Sequence, residues 1–324
     1  MISRLGVLTS GGDAPGMNAA IRATVRAATV HGITTVGYID GFSGFVAGEF
    51  QVLDDRSVGN IIQRGGTFIG TARCAEFNDK AVRAAAVRQM RSDEVEALVV
   101  IGGDGSFRGA VALHEDEGVA VAGIPGTIDN DITGTDETVG FDTAVNTAVL
   151  AIDQVRDTSE STGMMFFVEV MGRRSGALAL NTAVAAGAAG VLVPEKNEEI
   201  SSLVARLKES MERGKRSHII VVAKADEAGG AFGIAEKVGA ALSQPFRVVV
   251  LGHVQRGGRP TARDRIIASE AGVLAVEALV AGRSGMMIGR SEGRSVEFPL
   301  REAVRAVRSP IADELMRIAD TISG

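Results

Sequence analysis

Small glycines stand beside carboxylates at two places in this chain of 324 residues. Residues 102–106 read Gly-Gly-Asp-Gly-Ser, and residues 125–131 read Pro-Gly-Thr-Ile-Asp-Asn-Asp. Glycine lets a backbone come close to an anion, and a carboxylate supplies the hard oxygens that Mg²⁺ prefers. A third loop of the same kind, Thr-Ser-Gly-Gly-Asp-Ala-Pro-Gly, fills residues 9–16. Taken singly, each reads as well as an ordinary tight turn, and any one Asp as a turn or cap residue. Together they point to phosphoryl transfer, with Asp104, Asp129 and Asp131 as the acidic groups. A kinase of small alcohols needs one carboxylate beside the attacking hydroxyl and another on the metal. The first loop is not a Walker A loop, because no Lys-Ser or Lys-Thr follows its glycines, and it lacks the spacing of a dinucleotide fingerprint.

Arg73, Arg173, Arg247 and Arg256 flank glycines or strand ends and suit bidentate pairing with phosphate oxygens. In an Arg-rich chain no single one is decisive. His253 is equally a ligand contact or a partner of a backbone carbonyl.

Short Val/Ile-rich runs must position these loops. Strands are expected near residues 5–8, 35–39, 97–101, 119–124, 165–170, 191–193, 219–223 and 248–251. Amphipathic stretches lie between them; Phe141, Ala144, Val145, Ala148, Val149, Ile152 and Val155 share one face at helical spacing. This alternation predicts an α/β fold with mostly parallel sheets and helices on both faces, and ligands at the strand carboxyl ends. The glycine-acid loops fall at those ends. The length suits two domains, although no linker composition marks a boundary.

Hydrophobic residues make up 45% of the chain and charged residues 23%, which excludes a disordered protein. The net charge of -6 speaks against a nucleic-acid or anionic-membrane partner. A single cysteine, Cys74, excludes an internal disulfide framework and suits a reducing compartment. The opening residues enter a strand pattern with no cleavable export signal, and no apolar run approaches the roughly 20 residues of a membrane span. A cytoplasmic location is expected.

Residues 9–22 (TSGGDAPGMNAAIR), 102–106 (GGDGS), 125–131 (PGTIDND), 169–176 (EVMGRRSG) and 251–258 (LGHVQRGG) closely resemble bacterial-type ATP-dependent 6-phosphofructokinase over nearly the whole chain. The resemblance implies two Rossmann-like domains, residues 1–140 with 255–303 for ATP and 141–254 with 304–324 for the sugar phosphate. It also implies a homotetramer. By correspondence Gly12, Arg73, Cys74, Asp104, Gly105 and Ser106 line the ATP and Mg²⁺ site, with Asp104 near the metal. Thr127, Arg173 and Arg73 belong with the transferring phosphoryl group, and Asp129 is the general base. Asp131, Met171, Gly172, Arg173, Arg247, His253 and Arg256 fall to the sugar phosphate, Arg247 from a neighbouring subunit. Gly105 and Gly126 favour ATP, because pyrophosphate-using relatives carry Asp and Lys there.

Some positions depart from the pattern. Met164 stands where the family has an Arg that reaches the 6-phosphate across a subunit interface. Lys224 stands where it has a Glu, with Asp226 and Glu227 just beyond. Arg22, Arg26, Arg156, Arg213 and Lys215 match the basic effector cluster, but Asp55 replaces an Arg and Ala189 a Glu. The expected activity is phosphorylation of fructose 6-phosphate on its 1-hydroxyl in glycolysis, with weakened sugar affinity. Two other readings remain open: a kinase of another sugar phosphate, and a weakly active subunit that joins a competent paralogue in a hetero-oligomer.

Overall fold

The computed structural model describes residues 2–196, 200–224, 230–305 and 313–323. In chain order the elements are β1 (Arg4–Ser10), α1 (Met17–Val30), β2 (Thr34–Tyr38), α2 (Phe42–Ala47), β3 (Phe50–Leu53), α3 (Lys80–Ser92), β4 (Ala97–Gly102), α4 (Asp104–Glu117) and β5 (Ala120–Pro125). There follow α5 (Phe141–Thr162), β6 (Met165–Val170), α6 (Ala177–Ala185), β7 (Gly190–Leu192), α7 (Ile200–Glu212), β8 (His218–Ala223), α8 (Gly230–Leu242) and β9 (Phe246–Val250). The last are α9 (Ala262–Val280), β10 (Met286–Ser291), β11 (Arg294–Pro299), α10 (Leu300–Ala303) and α11 (Asp313–Ile322).

The chain divides into two compact units. The first comprises Met1–Thr127, Asp131–Asp142 and Arg256–Arg308. It holds a seven-stranded sheet in the order β11-β10-β5-β4-β1-β2-β3, parallel at its centre and antiparallel at both rims. β4 is buried at every residue and β1 at all but its first, as expected of strands covered on both faces. On one face Leu8, Val36, Leu98, Val100 and Val121 join apolar residues of α2, α3, α4 and α10 in one core. Side chains of alternate strand residues point the other way, where α1 and α9 pack together.

The second unit comprises Ile128–Asn130, Thr143–Gln255 and Ser309–Gly324. Its four strands are all parallel, in the order β7-β8-β6-β9. Met165, Phe167, Ile220 and Val222 form its core with Leu203 and Leu207 of α7 and Ala231, Ala235 and Val238 of α8.

Three strands lie outside the expected set: the short β3 and the hairpin β10–β11. The hairpin turns on Glu292 (φ 50°) and Gly293 (φ 77°), both left-handed as a type I′ turn demands. The expected strand at residues 248–251 instead begins at Phe246 and ends at Val250. No helix among the described residues is long and apolar enough to cross a membrane.

His218, at the start of β8, is fully buried, and its Nε2 lies 3.2 Å from the Ser210 hydroxyl. Burial, and secondarily the Lys215 ammonium, hold this imidazole below its ordinary value of 6.5. The unfolded chain therefore takes up the proton first, and stability falls as the pH drops from 6.5 toward the lower folded value. The thermal midpoint of the wild type should fall over this range, and His218→Asn should flatten the decline. Equal slopes in thermal melts at a series of pH values would show that His218 is not the group responsible.

Candidate active site

In the first unit β1, β4 and β5 lie side by side, with Ser10 in register with Gly102 and Gly102 with Pro125. All three glycine loops therefore leave one edge of one sheet. β2 and β3 continue on one side of β1, while β4 and β5 lie on the other. Such a switch point is where an α/β sheet opens its crevice for ligands. Glycine is required there by geometry. Gly11 has φ 86°, and a Cβ at Gly102 would stand 2.5 Å from the Ser10 carbonyl oxygen. The Gly126 N–H can then donate to the Gly102 carbonyl at 3.0 Å.

Asp104 opens α4, its side chain 41% exposed, and accepts from Arg108 Nη2 at 2.8 Å one turn later. Ser106 is buried, and its Oγ has no hydrogen-bond partner among the described residues. A Cβ built on Gly11 would lie 3.3 Å from that oxygen, so the hydroxyl sits beside the first loop. Beside Gly105 a Cβ would meet nothing within 4 Å. These features fit a magnesium-bound nucleotide: a carboxylate oxygen for the metal, an unsatisfied buried hydroxyl and open space between them. Among the described residues no group of three or more His, Cys, Asp or Glu could cage a metal. Magnesium needs no such cage, because one or two carboxylates plus substrate phosphates and water usually complete its shell.

The loop before Arg73 and Cys74 is tied to the same edge. The Asn18 side chain donates to the Arg64 and Gly65 carbonyls, each at 3.2 Å, and accepts from the Phe68 N–H at 2.8 Å. The Thr71 hydroxyl donates to the Gly11 carbonyl at 2.9 Å, two residues before the exposed Arg73. Cys74 is half-buried, at the start of a 3₁₀ turn. Arg256 Nη1 donates to the Asp13 carbonyl at 2.9 Å, and the guanidinium fills the space that a side chain at Gly12 would need. In this chain Arg256 thus accompanies the first loop.

Beyond Thr127 the chain makes a closed excursion. The Val139 N–H donates to the Pro125 carbonyl at 2.8 Å, and the Thr138 hydroxyl to the Thr127 carbonyl at 2.6 Å. Gly140 N–H donates at 2.8 Å to the fully buried Asp264 carboxylate near the start of α9. Thr127, Asp129 and Asn130 are all buried, and Asn130 is left-handed with φ 49°. Thr127 and Asp131 belong to the first unit, and Asp129 to the second.

In the second unit Met171, Gly172 and Arg173 follow β6, Lys224 follows β8, and Leu251 to His253 follow β9. The Lys224 N–H donates to the Val170 carbonyl at 2.8 Å, and the Leu251 N–H to the Glu169 carbonyl at 3.0 Å, so these three strand ends are neighbours. Gly172 (φ 135°) and Arg173 (φ 52°) make a tight turn closed by Ser175 N–H on the Gly172 carbonyl at 2.7 Å. A left-handed Arg costs about 1–2 kcal/mol, strain of the kind that gathers at functional turns. The Met171 N–H donates at 2.8 Å to Oε1 of the fully buried Gln255.

Met164 and Arg247 do not join this group. Met164 precedes β6, and Arg247, second in β9, is in register with Phe166. Both lie at the amino edge of the same sheet, roughly 20 Å away at 3.3 Å per strand residue. Asp226 and Glu227 lie outside the described residues. Of the basic effector candidates, Arg22 and Arg26 lie one turn apart on α1 of the first unit. Arg156, Arg213 and Lys215 gather in the second: burial, then the charges of Arg156 and Arg213, lowers the affinity of the Lys215 amine for its proton.

Gln255, Asp264, Asn18 and Arg108 escaped the sequence reading. Asn18, Gln255 and Arg108 each sit within or next to a recognised glycine motif. Asp264 offered only an Asp three residues after Thr261, an N-cap pattern confirmed by the bond from its N–H to the Thr261 hydroxyl at 3.2 Å.

Residues 4–279 match the family model described as Phosphofructokinase. The chain is 50% identical over 322 residues to ATP-dependent 6-phosphofructokinase 1 of Thermus thermophilus, covering 99% of this chain and 100% of that one. It is 47% identical, with the same coverage, to ATP-dependent 6-phosphofructokinase of Bacillus thuringiensis. Among solved structures, phosphofructokinase of Pichia pastoris in the T-state superposes with TM-score 0.91 at 30% identity, over 99% of this chain and 39% of that much longer one. A pyrophosphate-dependent phosphofructokinase from Marinobacter aquaeolei, at 21% identity and TM-score 0.85, shares the fold. The chain belongs to the phosphofructokinase family.

Proposed function

We propose that this protein phosphorylates the 1-hydroxyl of fructose 6-phosphate with ATP and Mg²⁺, giving fructose 1,6-bisphosphate in the cytoplasmic pathway of glycolysis. The observation that carries the reading is the register of Ser10, Gly102 and Pro125, which brings three phosphate-suited loops to one switch point. The first unit takes the nucleotide and the second the sugar phosphate. Gly12, Gly105, Ser106, Arg73 and Cys74 hold ATP, and Asp104 holds the magnesium, which supplies charge neutralisation on the phosphates when bound.

Asp129 accepts the proton of the sugar 1-hydroxyl as that oxygen bonds to the γ-phosphorus and the bond to the ADP oxygen breaks. Thr127, Arg173 and Arg73 donate hydrogen bonds to the phosphoryl oxygens in transit. Burial supports Asp129 in this role, because its carboxylate meets a bound hydroxyl away from bulk water. Met171, Gly172 and His253 of the second unit hold the sugar phosphate, and the family resemblance adds Asp131 and Arg256 of the first, Arg256 with donors to spare beside its bond to the Asp13 carbonyl. Arg247 comes from a second copy, since its own sheet keeps it at the edge away from Met171. That separation supports an oligomer, which the family resemblance makes a homotetramer, and by the same logic admits a paralogue as the neighbour.

Met164 leaves that neighbour's contribution one cation short, and Lys224, whose backbone is joined to the end of β6, carries an ammonium where the family resemblance expects a hydroxyl-accepting Glu. Losing one charged hydrogen bond costs about 1.5–3 kcal/mol, or about tenfold to a hundredfold in affinity. Sugar affinity is accordingly weak. A coupled ADP-release assay over a panel of sugar phosphates tests the reading. Saturable turnover with fructose 6-phosphate supports it; turnover with another acceptor alone points to a changed substrate, and none with any acceptor to a regulatory subunit.

Asp129→Asn should lower kcat by about 10²–10⁴-fold while ATP binding is kept. A rate within twofold of wild type would remove Asp129 as the base. Met164→Arg with Lys224→Glu should lower the Michaelis constant for fructose 6-phosphate at least tenfold. An unchanged or higher constant would mean that other residues have rebuilt the pocket.

A further inference from the structure

Among the described residues Arg108 is the one cation that the structure pairs directly with the carboxylate assigned to the metal, and nothing in the assigned site makes use of it. Its Nη2 lies 2.8 Å from Asp104 Oδ2, and the two side chains are 67% and 41% exposed. Side chains four residues apart on a helix share one face, and the longer one leans back toward the helix start. Arg108 therefore lies over Asp104 and Gly105, the residue beside which a side chain would meet no atom within 4 Å. Helix α4 carries these residues rigidly, because Phe107, between Ser106 and Arg108, is fully buried in the core of the first unit.

A carboxylate oxygen that accepts a guanidinium hydrogen bond cannot offer the same lone pair to a metal. Bare Asp104 would also repel a polyphosphate entering without magnesium. Resting on the functional reading above, we infer that Arg108 is the exchangeable counter-ion of Asp104. It neutralises the carboxylate when no metal is present, competes with Mg²⁺ for it, and turns to the polyphosphate once the metal has taken Asp104. Arg suits this exchange: its planar fork pairs with carboxylate or phosphate alike, and an exposed pair four residues apart is weak enough to break readily. The residue thus sets how strongly nucleotide binding depends on magnesium.

The test is calorimetric titration of the full-length protein with a non-hydrolysable ATP analogue. It is run in EDTA and across a magnesium series, for the wild type, Arg108→Met and Arg108→Lys. Arg108→Met keeps an unbranched side chain of good helix propensity at an exposed site, so the fold is retained. In EDTA this variant should bind the analogue at least fivefold more weakly than the wild type, because Asp104 is left uncompensated. The magnesium concentration that half-restores binding should fall about two- to fivefold, because the competitor is gone. Arg108→Lys should lie between the two proteins. Metal-free affinity and magnesium midpoint both within twofold of wild type would overturn the inference. Failure of every variant, and of the wild type, to bind the analogue at any magnesium concentration would overturn the nucleotide-site reading itself.

Discussion

The architecture depends on backbones approaching one another more closely than any side chain would permit at the carboxyl edge of β1, β4 and β5. Gly102 lies against the Ser10 carbonyl on one side and receives the Gly126 N–H on the other. That proximity brings peptide N–H groups and short polar side chains to the edge. The parallel, almost wholly buried strands β1, β4 and β5 hold them still. An anion can then be met by fixed dipoles without reorganisation, which is where electrostatic catalysis draws most of its strength.

The surrounding residues serve this edge more than they serve stability at large. Asn18 makes three hydrogen bonds to the loop that leads toward Arg73, and the Thr71 hydroxyl adds another to Gly11. Asp264 fixes Gly140 at the far end of the excursion that starts at Thr127. Each bond contributes about 1 kcal/mol net, and its loss would leave a buried polar group unsatisfied at greater cost. Gln255 does the corresponding work in the second unit, pinning the Met171 amide ahead of the strained Arg173 turn.

Much of this was legible in the chain. Strand cores such as residues 97–101 and 165–170 announce themselves as apolar runs because they are buried on both faces. The loops that follow carry glycines that few other residues could replace. β10 and β11 were harder to see: half-buried residues, charged positions and a Glu-Gly turn give no clean alternation. β3 is four residues long and exposed at Gln51 and Val52. At the site, the roles of Asn18, Gln255 and Asp264 depend on partners 46 to 124 residues away in sequence, which local spacing cannot encode. The family resemblance assigns Met164 and Arg247 to the sugar site across a subunit interface, and one chain holds them at the opposite edge of the sheet from Met171, a separation that no local spacing reveals. Arg108 is the contrary case, since four-residue spacing on a helix is readable, and only the assignment of Asp104 gives it meaning.

The most direct measurement is a crystal structure of the protein with Mg²⁺ and a non-hydrolysable ATP analogue. The polyphosphate should lie against the backbone of Gly11, Gly12 and Gly103 to Ser106, with the metal on Asp104 and the γ-phosphate toward Thr127. A nucleotide bound away from the β1, β4 and β5 edge, or a metal there with Asp104 turned aside, would contradict the account.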